Sequence, residues 1–248
     1  MDHLSENVWT WCKSGQFVCA FALLLCFSGC SLKQQAIEVL EREYNEARWE
    51  ETIRKFEEKD KVQPPKPNGI LFIGSSSVVR WDTEKYFPGY GVINRGFGGS
   101  QIVDSVHYAD RIVIPYKPAL IVFYAGNNDI KAGKPPEEVA ADFEKFRAVV
   151  HKELPETRII YISIHPSVSR WSHDPEMRKA NSLIKKQCSK DKRLTFVSIY
   201  KEMLGKDGTP NKELLDPDML HLSPKGYEVW TKKLTPYLDK FMKTKKSR

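Results

Sequence analysis

The sequence predicts an α/β domain, a three-layer α/β/α sandwich built around a five-stranded parallel sheet. Two observations predict it: five short apolar runs typical of buried strands occur along residues 70–199, and amphipathic helical patterns lie between and after them. Strands that alternate with helices form parallel sheets with helices on both faces. The 248 residues, 41% of them hydrophobic, supply enough apolar material for one such domain.

The elements follow from these patterns in chain order. The predicted strands are Ile70–Ile73, Val92–Ile93, Leu120–Tyr124, Ile159–Ile164 and Leu194–Ile199. Helices are predicted where apolar residues recur every three or four positions, namely at Val139, Phe143, Phe146 and Val150, at Met177, Ala180, Ile184 and Cys188, and at Tyr227, Trp230, Leu234, Leu238 and Phe241.

The first 29 residues are interpreted as a lipoprotein-type signal peptide. The uncharged run FVCAFALLLCF at residues 17–27 is too short for a membrane-spanning helix, which needs about 20 residues, but it suits the core of a signal peptide. Ser28 and Gly29 precede Cys30 as in a bacterial lipobox. We therefore expect cleavage before Cys30, lipidation of that cysteine, and an exported protein anchored to the membrane of the bacterial cell envelope.

Residues 30–68 lie between this leader and the α/β domain, which we assign to residues 69–248. Apolar residues at helical spacing among many charged ones predict an amphipathic helix, and three prolines between Pro64 and Pro67 end it. Two interpretations remain open: the helix is a spacer between the membrane and the domain, or it packs on the domain.

Charge and cysteine content exclude several classes of protein. The net charge is +7, but 39 basic residues are scattered among 32 acidic ones, and the basic C-terminal end is typical of a solvated helix end. We expect no nucleic-acid partner. Four of the five cysteines fall within the first 30 residues, so the domain has no disulfide framework and no cysteine-rich zinc site. The sequence leaves the oligomeric state open.

Polar segments follow the first two predicted strands. GSSS, residues 74–77, comes where a nucleophile would be presented at the carboxyl edge of the sheet. NRGFGGS, residues 94–100, lacks the spacing and the lysine of phosphate-binding loops, and its exposed backbone N–H groups fit an oxyanion site better. Each segment alone is also explained as an ordinary turn.

Two more polar segments come later in the chain. GNND, residues 126–129, follows the third strand and offers amide donors suited to a developing alkoxide. DPDMLH, residues 216–221, precedes the last helix. Its DxxH spacing lets one turn bring a carboxylate to imidazole Nδ1 while Nε2 points elsewhere, as a Ser–His pair requires.

All four segments should meet at one edge of the sheet, and their order resembles that of the SGNH, or GDSL-type, hydrolases. The four blocks here are FIGSSS, NRGFGGS, YAGNND and DPDMLHLSPKGY, spread over residues 70–230. Within that family the chain is similar to a bacterial subgroup with a GSSS first block. The resemblance implies a flavodoxin-like sheet and a serine hydrolase acting on ester bonds.

The family's site residues carry over by position. The resemblance implies that Ser76 is the nucleophile, His221 the base and Asp218 the acid that orients it. The oxyanion donors would be the backbone N–H groups of Ser76 and Gly99 and the side-chain amide of Asn128. Ser75 stands where the family pattern has Asp, which removes a carboxylate beside the nucleophile.

The implied mechanism is acyl transfer in two steps through an acyl-enzyme, and it needs no metal and no organic cofactor. We expect a small acyl ester as substrate, with an acetyl ester on a carbohydrate favoured. A lipase or thioesterase of the same mechanism is the near alternative. A surface lipoprotein that binds glycans without turnover is the alternative from another class.

The loop after the fourth strand contains further candidates. Arg170 and Trp171 lie on the expected edge of the sheet and could shape the substrate pocket; the alternative is that Trp171 covers the core and Arg170 pairs with an acid. His165 and the remaining histidines have no DxxH partner, so we assign them no catalytic role.

Overall fold

The computed structural model of the protein describes residues 48–246. The chain divides into two units, Met1–Glu51 and Thr52–Arg248, and the contacts discussed below lie within the second. The predicted signal peptide, Cys30 and the first part of the predicted N-terminal helix lie outside the described residues. Within residues 48–246 no helix is both long enough and apolar enough to cross a membrane.

The predicted parallel sheet is confirmed. Its strands are β1 Ile70–Gly74, β2 Val92–Gly96, β3 Leu120–Tyr124, β4 Arg158–Ile162 and β5 Leu194–Val197. They pair in the order β2-β1-β3-β4-β5, every pair is parallel, and this is the order of a flavodoxin-like sheet.

Two strands end earlier than the apolar runs suggest. The prediction extended them to Ile164 and Ile199, whereas β4 ends at Ile162 and β5 at Val197. The backbone N–H of Ile164 donates to Oδ1 of Asn181 at 2.8 Å, and that of Ile199 donates to Oγ of Ser163 at 3.0 Å. Side chains therefore accept the hydrogen bonds that a neighbouring strand would otherwise accept.

Nine α-helices are assigned within the described residues: α1 Glu50–Val62, α2 Ser76–Val79, α3 Thr83–Tyr86, α4 Ile102–His107, α5 Ala109–Ile112, α6 Asn127–Lys131, α7 Pro136–Glu153, α8 Asp174–Cys188 and α9 Pro224–Lys246. The three helices predicted in the domain are the long ones α7, α8 and α9. The last of them runs through Pro236.

Alternate residues of the strands supply a core on each face of the sheet. On one face the ring of Trp81 packs against Phe72 and Trp230, with centroids 5.3 and 5.6 Å apart, so that α9 is held against β1. On the other face Phe123 of β3 packs against Phe146 of α7 at 4.5 Å. Helices therefore cover both faces, and the carboxyl ends of the strands are left to form a site.

Helix α1 is tied to the edge strand β2 by charged groups. The guanidinium of Arg95, buried in β2, pairs with Asp60 of α1, and its Nε donates to the hydroxyl of Tyr116 at 2.8 Å. Arg111 forms two hydrogen bonds with Glu57 at 2.7 and 2.8 Å. The described part of this helix therefore packs on the domain, which was one of the two interpretations left open by the sequence.

Candidate active site

The first segment of the site is the sharp turn after β1. Gly74 has a φ of +141°, and a Cβ on it would lie 1.8 Å from the carbonyl oxygen of Tyr124, so only glycine fits. The N–H of Ser75 then donates to that same oxygen at 3.0 Å. The turn leaves Ser76 partly exposed at the first position of α2, whereas Ser75 and Ser77 are buried.

Ser76, His221 and Asp218 lie in hydrogen-bonding sequence. Nε2 of His221 is 2.8 Å from Oγ of Ser76, and Nδ1 of His221 is 2.5 Å from Oδ2 of Asp218. The structure thus brings together three residues that are separated by up to 145 positions in the chain. A hydroxyl, an imidazole and a carboxylate in this order can pass a proton from the serine to the histidine.

The loop that carries Asp218 and His221 is closed by its own backbone. The N–H of Asp216 donates to the carbonyl of His221 at 2.8 Å, and Leu215 and Leu222 form an antiparallel bridge. Oδ1 of Asp218 accepts from the N–H groups of Leu220 and His221 at 3.0 and 2.9 Å. One carboxylate therefore stabilises the turn with one oxygen and contacts the imidazole with the other.

These contacts also set the charge of Asp218. Burial on its own would raise the pKa of its carboxyl, but the hydrogen bonds from the His221 side chain and from two backbone N–H groups outweigh burial and lower the pKa below its ordinary value. Asp218 is therefore ionised at neutral pH, as an acid that holds an imidazole by its Nδ1–H must be.

Two contacts that the sequence did not predict join this loop and the helix after it, α9, to the segment that follows β1. Nη1 of Arg80 lies 3.2 Å from Oδ2 of Asp216, and the hydroxyl of Tyr227 donates to the carbonyl of Ser77 at 2.9 Å. Both pairs are separated by more than 130 residues. No short-range pattern could have found them.

The glycine-rich loop after β2 lies beside Ser76. A Cβ on Gly98 would be 3.9 Å from Cβ of Ser76, and the next residue, Gly99, has a φ of +79°. The loop is fixed because the N–H of Phe97 donates to the carbonyl of Gly74 at 2.9 Å and the amide of Asn94 donates to the carbonyl of Val78 at 2.8 Å. The predicted oxyanion loop therefore borders the predicted nucleophile.

The two asparagines after β3 begin α6 on the same edge of the sheet. Gly126, which precedes them, has a φ of +112°, and a Cβ there would lie 2.8 Å from Cδ1 of Ile164. Nδ2 of Asn128 donates to the carbonyl of Ser100 at 2.9 Å. This bond joins the Asn128 segment to the glycine-rich loop, so the segments that carry the two predicted donors are held together.

A small pocket of about 220 Å³ opens between these segments. Predicted residues and unpredicted ones line it together: Ser75, Ser76, Ser77, Tyr124, Asn127, Asn128, His165, Arg170, Leu220 and His221. Trp171 is partly exposed in the same 3-10 segment as Arg170, Val168–His173, but it is not among the lining residues. A substrate-binding role for Trp171 stays a prediction.

His165 is a second imidazole in the pocket wall. It is buried, its Nδ1 lies 3.0 Å from the carbonyl oxygen of Pro166, and its ring stacks on Tyr124. Burial lowers the pKa of His165 to about 4, so the ring is neutral at pH 7. It has no carboxylate partner among the described residues, which fits a wall of the pocket better than a base.

Asp129 is a buried acid beside the site that the sequence did not single out. Its Oδ1 accepts from the N–H of Ile102 at 3.1 Å and lies 3.6 Å from Nζ of Lys134. Burial raises the pKa of Asp129 to about 6 in spite of these favourable contacts.

Within residues 48–246, no cluster of three or more histidines, cysteines or acids could hold a metal ion.

The sequence of this chain matches a known protein family. Residues 77–229 match the model of the GDSL-like lipase/acylhydrolase family. The matched segment contains Asp218 and His221 and begins one residue after Ser76. No curated protein matches the chain significantly.

Solved structures share the fold. A candidate platelet activating factor from Streptococcus pneumonia is 26% identical, with a TM-score of 0.71 over 82% of this chain and 99% of that one. A GDSL-like lipase from Bacteroides thetaiotaomicron is 19% identical, with a TM-score of 0.65 over 76% and 97%. A mutant acetyl-xylooligosaccharide esterase from Geobacillus Stearmophilus is 16% identical, with a TM-score of 0.55 over 70% and 95%.

Proposed function

We propose that this chain, which belongs to the GDSL-like lipase/acylhydrolase family and is an ester-hydrolysing enzyme, is an exported serine esterase for short acyl esters. The observation that carries the proposal is the 2.8 Å contact between Oγ of Ser76 and Nε2 of His221, with Asp218 on the other ring nitrogen. Serine hydroxyls are weak nucleophiles unless a base of this kind lies beside them.

In the proposed reaction Oγ of Ser76 attacks the ester carbonyl while its proton moves to Nε2 of His221. The carbonyl oxygen becomes an oxyanion, which the N–H groups of Ser76 and Gly99 and the amide of Asn128 stabilise. The tetrahedral intermediate then loses the alcohol, which takes the proton from His221. Water, deprotonated by the same imidazole, attacks the acyl-serine and releases the acid and Ser76.

The size of the pocket supports a short acyl group. The pocket around Ser76 has a volume of about 220 Å³, including the part that is open to solvent. The side chains of Tyr124 and His165 form part of its wall. A long acyl chain would have to lie outside the pocket. We favour acetyl esters, and carbohydrate esters among them, because of the likeness to an acetyl-xylooligosaccharide esterase.

The lipase or thioesterase alternative shares the mechanism and differs in acyl length or leaving group. The glycan-binding alternative would use the same pocket without turnover. A binding protein has no need for an activated serine, and the contact between Ser76 and His221 therefore favours an enzyme over a binding protein.

We also propose export to the bacterial cell envelope with a lipid on Cys30, on the basis of the leader sequence alone.

The proposal is tested with a panel of substrates and the chain that begins at Ser31. Acetylated sugars, aryl esters of increasing acyl length and acyl-thioesters would be compared, with Ser76→Ala as the inactive control. We expect turnover to fall sharply beyond about four acyl carbons. Faster turnover of long acyl esters would favour a lipase, and preference for thioesters a thioesterase.

A further inference from the structure

The side chain of Arg170 lies between the two asparagines that begin α6 and contacts both. Its Nη1 donates to Oδ1 of Asn127, and its Nη2 donates to Oδ1 of Asn128 at 3.0 Å. A guanidinium has only donors, so a neighbouring amide must turn its oxygen toward it. Arg170 therefore determines which end of the Asn128 amide points away from it.

The other neighbour of this amide demands the same orientation. The backbone carbonyl of Ser100 accepts from Nδ2 of Asn128 at 2.9 Å, and a carbonyl can only accept. The amide nitrogen has two hydrogens, and this bond uses one of them. The second hydrogen remains for a ligand in the pocket, where Asn128 lies together with Ser76 and His221.

Arg170 is itself held by contacts that leave its charge unneutralised. The N–H of the preceding residue, Ser169, donates to the carbonyl of Met219 in the loop that carries His221, at 3.1 Å. Within residues 48–246 the guanidinium pairs with no carboxylate, and its partners are the two neutral amides. A partly buried positive charge therefore lies one amide away from the place where the oxyanion would form.

We propose that Arg170 is a positioning residue that fixes the Asn128 amide with its nitrogen toward the carbonyl oxygen of the ester. The inference rests on the proposed function, because it acts through a donor of the oxyanion hole. The positive charge also polarises the amide, and a polarised N–H is a stronger donor. The oxyanion exists only in the transition state and the intermediate, so the effect falls on kcat rather than on KM.

The test is a double-mutant cycle of Arg170→Met and Asn128→Ala, measured with a neutral short aryl ester. We expect Arg170→Met alone to lower kcat by about 10- to 100-fold with KM changed less than about threefold, since the whole donor is worth about 10²- to 10³-fold. In the Asn128→Ala background, we expect the same substitution to lower kcat by less than about threefold.

Equal losses in both backgrounds would overturn the inference, because Arg170 would then act independently of Asn128. A loss confined to KM, largest for esters that carry a carboxylate, would also overturn it, since Arg170 would then bind the substrate directly. The matched control is Arg178→Met, which removes an exposed arginine of α8 that stacks on Tyr200. We expect its kcat to match that of the unmodified chain.

Arg170→Lys provides the second variant, in case Arg170→Met does not fold. A lysine keeps the charge, but it lacks the planar guanidinium that donates to two amide oxygens at once. The kcat of Arg170→Lys should therefore lie between the kcat of the unmodified chain and the kcat of Asn128→Ala. A kcat below that of Asn128→Ala contradicts the inference. The proposed function fails separately: in that case Ser76→Ala retains turnover, whatever the cycle shows.

Discussion

The two halves of the candidate site are built in different ways. The acid–base half, His221 and Asp218, comes from one short loop whose carboxylate side chain is 43% exposed, and its distant side-chain contacts are with Ser76 and Arg80. The oxyanion half, Gly99 and Asn128, is surrounded by residues buried under several segments: Ser100 and Asp129 have no exposed surface, and Asn127 is 5% exposed. Local sequence determines the first half, and long-range packing determines the second.

The largest effect should come from the residue at which the halves meet. Ser76→Ala removes the covalent route, and we expect kcat to fall by about 10⁶-fold with the fold retained. Steady-state hydrolysis of a short aryl ester and a thermal melt would test this. Ser77→Ala is the matched comparison in the same turn, because Ser77 also lines the pocket but the hydroxyl that contacts His221 is that of Ser76, so we expect a much smaller loss. Equal losses in the two variants would contradict the assignment.

A smaller loss is expected at the exposed end of the acid–base half. Asp218→Asn places an amide at Nδ1 of His221, which favours the wrong tautomer of the imidazole, and we expect kcat to fall by about 10⁴-fold. Asp216→Asn makes the same change two residues away, where the carboxylate lies 3.2 Å from Nη1 of Arg80, a nitrogen that is also 3.8 Å from Asp218. It should cost no more than about tenfold. If both variants lost activity equally, Asp218 would be a structural residue of the loop.

The oxyanion half should be less sensitive when one donor is removed. Asn128→Ala deletes the amide that bonds to the carbonyl of Ser100, and we expect kcat to fall by about 10²- to 10³-fold with little change in KM. Single-turnover kinetics would separate acylation from release of the acid. A full loss, as large as that of Ser76→Ala, would mean that the loop after β2 has collapsed and that the two halves are not separable.

The smallest effect concerns stability and the acid beneath the oxyanion half. Because burial raises the pKa of Asp129 from 3.8 to about 6, its proton is bound more tightly in the folded state. The folded state is therefore favoured most below pH 4, and this advantage is lost as the pH rises through 6. Lys134, at 3.6 Å, lowers the pKa of Asp129, and the charge of Asp142 raises it.

Urea unfolding of the unmodified chain and of Asp129→Asn across pH 3.5 to 7.5 would measure this contribution. The free energy of unfolding of the unmodified chain, relative to the variant, should fall by up to about 3 kcal/mol between pH 4 and 6, since each pKa unit is worth about 1.36 kcal/mol. A difference independent of pH would show that folding does not shift the pKa of Asp129.

The acid–base half and the oxyanion half also differ in how far they could be predicted from the sequence. Apolar runs marked all five strands, because a buried parallel strand is apolar on both faces. The edge strand β2 was predicted too short, because the pairing of Arg95 with Asp60 of α1 buries a charged residue there. The DxxH spacing and the motif blocks were sufficient to identify Ser76, Asp218 and His221 as candidates.

The contacts that support the oxyanion half could not be predicted. Arg170 was a candidate by its position, but its contacts with Asn127 and Asn128 span more than 40 residues. Asp129 was visible in the GNND block, but its burial depends on α4 and α7, which pack against each other only in the folded chain. Such contacts depend on how helices cross the sheet, and no spacing in the sequence encodes that.

The assignment of Ser76 as the nucleophile is tested by locating the reactive serine in the GSSS segment. The protein would be treated with a fluorophosphonate probe, digested, and the modified residue located by mass spectrometry. We expect the probe on Ser76 alone, and none on Ser76 in His221→Ala, because the imidazole activates that hydroxyl. Modification of Ser75 or Ser77 instead, or unmodified Ser76 in a protein that still hydrolyses esters, would contradict the account.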